Sequence, residues 1–213
     1  IRFERTPYEH WRITPDFTEF EWRIIPENST RLAALLADEI HISDLPTDLS
    51  LEARSSGMEV IQGNVPARRA FYSFECCYID AATGEYMHPN SPLLDVRVRN
   101  ALNKAIDRDA LNEAFFNGDG RTLILNHIQP TMPTWNPEWD SRYQAAYGYD
   151  PAAARALLAE AGYTSSNPLE TNVFVFSRFP GAEDVIEASA GFWTEIGVDV
   201  TLVTIEIAQY NEQ

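Results

Sequence analysis

Helix and strand patterns alternate along the second half of the chain, and this order constrains the fold more than any other feature. After Asp95, apolar residues recur up to Ile106 at the three- and four-residue spacing of a helix. An aspartate at the start or a glycine at the end marks this helix pattern and three others. The predicted helices span residues 95–106, 107–118, 150–162 and 182–196, and the predicted strands span 171–177 and 198–207. Such alternation is typical of an α/β domain with parallel or mixed strands.

The first 80 residues carry shorter elements with more β character. Alternating apolar and charged residues predict a half-buried strand over 18–25, and a helix capped by Asn28 or Ser29 follows it. Further short strands are predicted over 40–45 and 58–62, a short helix over 47–55 and a longer, aromatic-rich strand over 69–79. Residues 81–92 contain Gly, Asn, Ser and two prolines and predict a loop at a domain boundary. The aperiodic stretch 117–149 is predicted to be a long loop.

The charge balance excludes several classes of partner. The chain has 16 basic and 32 acidic residues and a net charge of −16, which argues against nucleic acid and anionic membrane surfaces. No apolar run approaches the roughly 18–20 residues that cross a bilayer, so no transmembrane segment is predicted. The length of 213 residues, 45% of them apolar, is sufficient for a globular protein with a substantial core.

Motifs that would indicate catalysis or metal binding do not occur in the sequence. No two of its four histidines have the spacing of a helical metal site, and neither a phosphate-binding glycine motif nor a nucleophile motif occurs. Cys76 and Cys77 are adjacent, a spacing that suits neither a metal site nor an unstrained disulfide, and we interpret them as small buried residues. We therefore predict that the protein is not an enzyme and uses no cofactor or metal.

Aromatic residues cluster in two places that lack periodicity. One cluster lies before the predicted boundary and comprises Phe71, Tyr72, Phe74 and Tyr78. The other lies in the predicted long loop and comprises Trp135, Trp139, Tyr143, Tyr147 and Tyr149. Two interpretations stay open at this point. The rings line a ligand pocket, as aromatic side chains commonly do, or they anchor the core and the loop.

One segment is specific enough to indicate a family. Residues 91–108, SPLLDVRVRNALNKAIDR, resemble a signature of the family 5 extracellular solute-binding proteins of ABC importers, the oligopeptide-, dipeptide- and nickel-binding group. Residues 20–49, 149–163 and 188–200 also resemble family segments, in the family's order. The chain departs from the family pattern in four places. Asp38 stands where the family has glycine, and His41 stands where the family has aspartate. Residues 75–77 replace a Phe-Asn pair of the family, and residues 79–90 resemble an insertion.

The resemblance implies an α/β, periplasmic-binding-protein-like (type II) fold, with mixed sheets flanked by helices in two lobes that close over a ligand. Residues 1–80 would form part of the first lobe, a β-α-β unit plus the crossover strand, and residues 81–213 the N-terminal part of the second. The chain would then be an incomplete, interior part of a longer protein, without its signal peptide. The implied location is the periplasm or, with an anchor, the extracellular cell surface.

The implied function is that of the solute-binding component of an ABC transporter, which captures a small ligand and delivers it to the permease subunits. The default ligand is a peptide, with oligosaccharides or opine-like solutes next. The alternatives are a peptide sensor or chaperone on the same fold, or an α/β enzyme domain. In family members the cleft side of the crossover strand faces the ligand. This implies ligand contacts for Tyr72, Phe74 and Cys76, which alternate onto one strand face, with Trp135 as a further ligand-binding candidate.

Overall fold

The computed structural model describes residues 1–61, 69–74, 76–125, 128–175 and 182–205. Contacts between residues divide the chain into two units, 1–61 and 62–213. The predicted division into lobes at residues 80 and 81 refers to a longer protein and stays a prediction. Within the described residues, no helix is long and apolar enough to span a membrane.

The first unit combines a short hairpin with two helices. Strands β1 (Arg2–Glu4) and β2 (Glu19–Glu21) pair antiparallel, and helices α1 (Asn28–Leu36) and α2 (Thr47–Ser55) follow. The small buried set in this unit comes from the two helices and consists of Leu32, Ala34 and Ala53. Both helices lie where the sequence predicts them, although α1 begins after Glu27, whose side chain makes no capping hydrogen bond.

The β predictions for the first 80 residues are mostly wrong. The strand predicted over 18–25 is reduced to β2, and it is exposed rather than half-buried. Residues 40–45, the described part of 58–62 and residues 69–74 form no strand, while Ile79 makes only an isolated bridge to Tyr86. A strand is stable only beside a hydrogen-bonding neighbour. Among the described residues, the segments 40–45, 58–61 and 69–74 have no strand neighbour, so their sequence pattern does not produce a strand.

The second unit has the predicted α/β character. A single 3₁₀ turn (Pro92–Leu94) precedes the helices, and the regular elements are α3 (Val96–Ala105), α4 (Arg108–Phe116), α5 (Glu138–Tyr147), α6 (Pro151–Glu160), β3 (Leu169–Val175), α7 (Ala182–Glu195) and β4 (Val198–Thr204). Strands β3 and β4 pair parallel, with a register that runs from Leu169 opposite Val198 to Val175 opposite Thr204. Helix α5 lies inside the stretch predicted as a loop, and that prediction is wrong because α5 has only a weak apolar stripe.

The helix starts follow the capping rules. The carboxylates of Asp95, Asp107 and Asp150 accept hydrogen bonds from backbone N–H groups in the first turns of α3, α4 and α6, at 2.8, 2.9 and 2.9 Å. Each bond satisfies a donor that has no partner within its helix. The aspartates therefore fix where these helices begin, as predicted.

Helix α3 is central to the core of the second unit. Its buried residues Val98, Ala101, Leu102 and Ala105 are those that the helical spacing predicts. The rest of the cluster comes from the residue after α3, from α6 and α7, from both strands and from the residue after α7, and comprises Ile106, Ala154, Leu158, Leu169, Val173, Val175, Trp193, Ile196 and Val198. The indole Nε1 of Trp193 donates to the Leu102 carbonyl at 2.8 Å, so α7 is tied to the middle of this core.

Candidate functional site

The segment 69–77 carries three of the four predicted ligand contacts, and Tyr72 fixes how it lies. The Tyr72 ring packs on Trp193, with the ring centroids 4.5 Å apart. The Tyr72 hydroxyl lies 2.5 Å from Ser189 Oγ and 3.1 Å from the Ile186 carbonyl oxygen. Tyr72 therefore joins the segment to α7 by both apolar and polar contacts.

Burial alternates along this segment. Tyr72 and Phe74 are half-buried and pack against the core of the second unit, and Cys76 is 1% exposed. Next to them in the sequence, Phe71 is 62% exposed, and Ser73 and Cys77 are exposed as well. Tyr72 and Phe74 therefore both meet the core of the second unit, and Cys76 is buried as well.

Burial also changes the acidity of two groups of this segment. It raises the pKa of Tyr72 above its ordinary value, and the hydrogen bond with Ser189 opposes part of the rise. Burial likewise raises the pKa of Cys76, and the positive charge of Arg99 opposes it. Both groups therefore stay protonated and neutral near pH 7, so Cys76 has little nucleophilic thiolate.

Trp135, the fourth predicted contact, lies elsewhere in the second unit. Its ring is half-buried and packs edge to face against Trp139, with the centroids 5.3 Å apart. Its backbone N–H donates to the Met132 carbonyl at 3.0 Å, which closes a turn before α5. The contact between the two tryptophans packs the turn before α5 against the first residues of that helix.

The residues of the family-like segment 91–108 have structural roles. The Arg97 guanidinium donates to both carboxylate oxygens of Asp95, at 2.5 to 3.1 Å, and to the Glu160 carbonyl at 2.7 Å. These bonds hold the pKa of Asp95 below its ordinary value. Arg99 donates to the carbonyls of residues 93 and 94, and Arg108 to those of residues 103 and 106. The charged residues of this segment therefore hold turns and helix ends in place.

Two concavities of the described surface are open and polar. One, of about 600 Å³, lies in the first unit along residues 4–9, 14, 18 and 19, and another, of about 280 Å³, lies on the sheet along residues 170–172, 199 and 201. The described part of the chain has no group of three or more His, Cys, Asp or Glu residues that could hold a metal ion. Neither concavity contains any of the four predicted contacts.

Ser189 is the residue of this site that the sequence analysis missed. It lies on the face of α7 that also carries Ile186, Ala190 and Trp193, and it is only 4% exposed. A hydroxyl on an otherwise apolar stripe needs a hydrogen-bonding partner, and this was the available signal. The identity of that partner, Tyr72, was not predictable because the two residues are 117 positions apart.

The chain matches one protein-family model along its whole length. The model is described as "Bacterial extracellular solute-binding proteins, family 5 Middle", and the match covers residues 1–213. This is the family that residues 91–108 and the three other segments resemble.

Curated relatives and solved structures agree with this match. The chain is 27% identical to the dipeptide-binding protein of Escherichia coli over 203 residues, which are 94% of the chain and 35% of that relative. It is 28% identical to heme-binding protein A of Haemophilus influenzae over 208 residues, which are 96% of the chain and 35% of the relative. The chain thus spans about a third of the length of these relatives.

A structural comparison gives the same result. The structure of HbpA2 from Haemophilus parasuis superimposes with a TM-score of 0.62 at 26% sequence identity, over 95% of this chain and 37% of that one. The predicted α/β, periplasmic-binding-protein-like (type II) fold is confirmed, and this chain carries part of it.

Proposed function

The chain belongs to family 5 of the bacterial extracellular solute-binding proteins, and we propose that the protein captures a small ligand and delivers it to the permease subunits of an ABC importer. The observation that carries the proposal is the family match along residues 1–213. Binding is reversible and involves no covalent step, and the lobes of the longer protein close over the ligand. In this proposal residues 1–80 belong to the first lobe and residues 81–213 to the second.

The proposed ligand is a peptide. Support comes from the dipeptide-binding relative and from a di/tripeptide-binding relative of Pseudomonas aeruginosa at 28% identity. Heme is the second candidate, because another relative at 28% identity is named a heme-binding protein. These relatives are named for binding, which supports the proposal that this protein is not an enzyme. A peptide sensor or chaperone on the same fold would bind the same ligand without transport.

We propose the periplasm or the extracellular cell surface as the place of binding, since the family is described as extracellular. Within the site, Tyr72, Phe74, Cys76 and Trp135 stay the predicted ligand contacts. Aromatic rings suit this role because they supply large apolar contact area at a small cost in side-chain entropy.

A thermal-shift screen of the full-length protein tests the ligand class. The probes are dipeptides, tripeptides, longer peptides, hemin, sugars and metal chelates. A ligand at 100 times its Kd adds about 2.7 kcal/mol to the free energy of unfolding, so the correct class raises Tm by several degrees. A rise with peptides alone supports the proposal, a rise with hemin alone replaces the ligand, and no rise with any class overturns it.

An uptake assay separates transport from sensing. Cells that lack the gene are given the labelled peptide that raises Tm most. The transport proposal expects uptake to fall to the background level and to return when the gene is restored. Unchanged uptake, together with peptide binding by the purified protein, would favour the sensor or chaperone alternative.

A further inference from the structure

We infer that Cys76 and Cys77 are a redox-sensitive modification site, at which the two adjacent thiols close into a reversible disulfide in an oxidising compartment. This inference rests on the proposed location of the protein outside the cytoplasm. It goes beyond the proposed function, because the capture and delivery of a ligand need no sulfur chemistry.

The first observation is that the two thiols already contact each other. Their side chains form a hydrogen bond, and the Cys76 N–H donates to the Phe74 carbonyl at 2.8 Å, which holds the backbone at the start of the pair. The 213 residues contain two cysteines, so each thiol has the other as its disulfide partner within this chain. Groups held in contact react with a far higher effective concentration than groups in solution.

The second observation is the class of protein. The family is described as extracellular, and thiols outside the cytoplasm meet disulfide oxidants rather than a reducing thiol pool. In such a compartment, two thiols in contact are oxidised to a disulfide when their ring can close. The pairing of Cys76 with Cys77 therefore supplies a reaction that neither thiol undergoes alone.

The oxidant is the disulfide of a small thiol or of a thiol–disulfide exchange protein. One thiolate of the pair attacks an oxidant sulfur, so that a mixed disulfide forms and one oxidant thiolate leaves. The second thiol then loses its proton to water and attacks the first sulfur, which forms the bond between Cys76 and Cys77 and releases the other oxidant thiolate. The pair loses two electrons, and the oxidant is reduced to two thiols.

The two thiols take different steps of this reaction. Burial raises the pKa of Cys76, so little of this thiol is ionised near pH 7. Cys76 therefore takes the second step, in which the contact with Cys77 compensates for the small fraction of thiolate.

The bond between adjacent residues is strained, and this strain makes the site reversible. A ring that spans only two residues departs from ordinary disulfide geometry, and strained disulfides are reduced more easily than relaxed ones. Because the closed loop is so short, the bond adds little to the stability of the whole protein. Its effect is local, since it fixes the backbone beside Phe74, which packs against the core of the second unit.

Thiol counting on the full-length protein tests the ring closure directly. The purified protein is fully reduced, freed of reductant, incubated with oxidised glutathione, denatured and alkylated with N-ethylmaleimide. Mass spectrometry of the tryptic peptide that contains both cysteines should show neither glutathione nor maleimide and a mass two hydrogens below that of the dithiol. Incorporation of maleimide should be at least about tenfold lower than in a sample reduced again before alkylation. The matched control is Cys76→Ser, which cannot close the ring and should carry one glutathione or one maleimide on Cys77.

The outcomes separate this inference from the proposed function. Two maleimides on the oxidised wild-type peptide, a glutathione that stays on the pair, or a bond to a cysteine elsewhere in the protein overturns the inference alone. The same count on protein taken from acid-quenched cell fractions tests the location. Recovery outside the cytoplasm with the ring closed supports the inference and the proposed location, whereas recovery in the cytoplasm as the dithiol overturns both.

Discussion

Replacing Tyr72 by phenylalanine tests the contact that holds the segment 69–77 on α7. The variant keeps the ring against Trp193, at a centroid distance of 4.5 Å, and loses only the hydroxyl, which lies 2.5 Å from Ser189 Oγ and 3.1 Å from the Ile186 carbonyl oxygen. Ser189 keeps a partner, because its own hydroxyl donates to the Ile186 carbonyl at 2.9 Å. The loss is therefore that of a single hydroxyl whose two partners stay bonded to each other, with no orphaned buried group, and should be about 1 kcal/mol.

Urea denaturation and calorimetry measure this loss. For a chain of 213 residues, about 1 kcal/mol corresponds to a fall in Tm of about 2–4 °C. Tyr86→Phe is the matched control, since Tyr86 is 48% exposed, and it should change the stability by less than about 0.5 kcal/mol.

A double-mutant cycle makes the test of this contact specific. Because the Tyr72 and Ser189 hydroxyls interact, the losses in Tyr72→Phe and Ser189→Ala should not add in the double variant. The coupling free energy should be about 0.5–1 kcal/mol. Strict additivity would refute the bond between the Tyr72 and Ser189 hydroxyls as the cause. An equal loss in Tyr86→Phe would refute any specific role of the Tyr72 hydroxyl.

Three further predictions follow from the core, a turn and a titrating group. Leu102 is only 1% exposed, so Leu102→Ala should lower the free energy of unfolding, measured by chemical denaturation, by about 3 kcal/mol. Leu202 is 40% exposed, so Leu202→Ala should lower it much less, and similar losses would contradict the assigned core. Asp38 has a φ of +59°, a strained backbone conformation for a residue with a side chain, so Asp38→Gly should stabilise the folded chain by about 0.5–1 kcal/mol. Glu39→Gly should give no gain, and a loss of stability in Asp38→Gly would argue against the strain at Asp38. Because the pKa of Tyr72 is raised in the folded state, the folded state holds the phenol proton more tightly than the unfolded state. The stability that this proton contributes is present below the ordinary pKa of 10.0 and is lost as the pH rises through the raised pKa. Circular dichroism between about pH 9 and 12 should therefore show a smaller alkaline loss in Tyr72→Phe than in the wild-type protein, and equal losses would show that Tyr72 does not contribute.

The helical part of the fold could be predicted because its signals are local. Asp95, Asp107 and Asp150 mark helix starts through hydrogen bonds within three residues, and the buried residues of α3 follow one spacing rule. Asp38, which stands where the family has glycine, adopts the left-handed backbone conformation that glycine favours. This departure from the family pattern is therefore also a local feature of the chain.

The strands and the site could be predicted only in part. The shared burial of Tyr72, Phe74 and Cys76 agrees with the alternation that an extended chain predicts. Whether Tyr72 meets the core or a ligand depends on which element packs against it, and here that element is α7, more than 100 residues further along the chain. The strand expected over 69–79 depends in the same way on a neighbour, and the described residues offer it only the isolated bridge between Ile79 and Tyr86.

The sequence by itself determined the helix starts, the buried stripe of α3, the α/β class and the family, because these depend on spacings within one segment or on the order of segments. The tertiary structure decided which residues of the segment 69–77 pack against α7, which groups form hydrogen bonds with Ser189 and Trp193, and which alternating segments become strands. These outcomes depend on contacts between residues far apart in the chain, and no local pattern encodes such contacts.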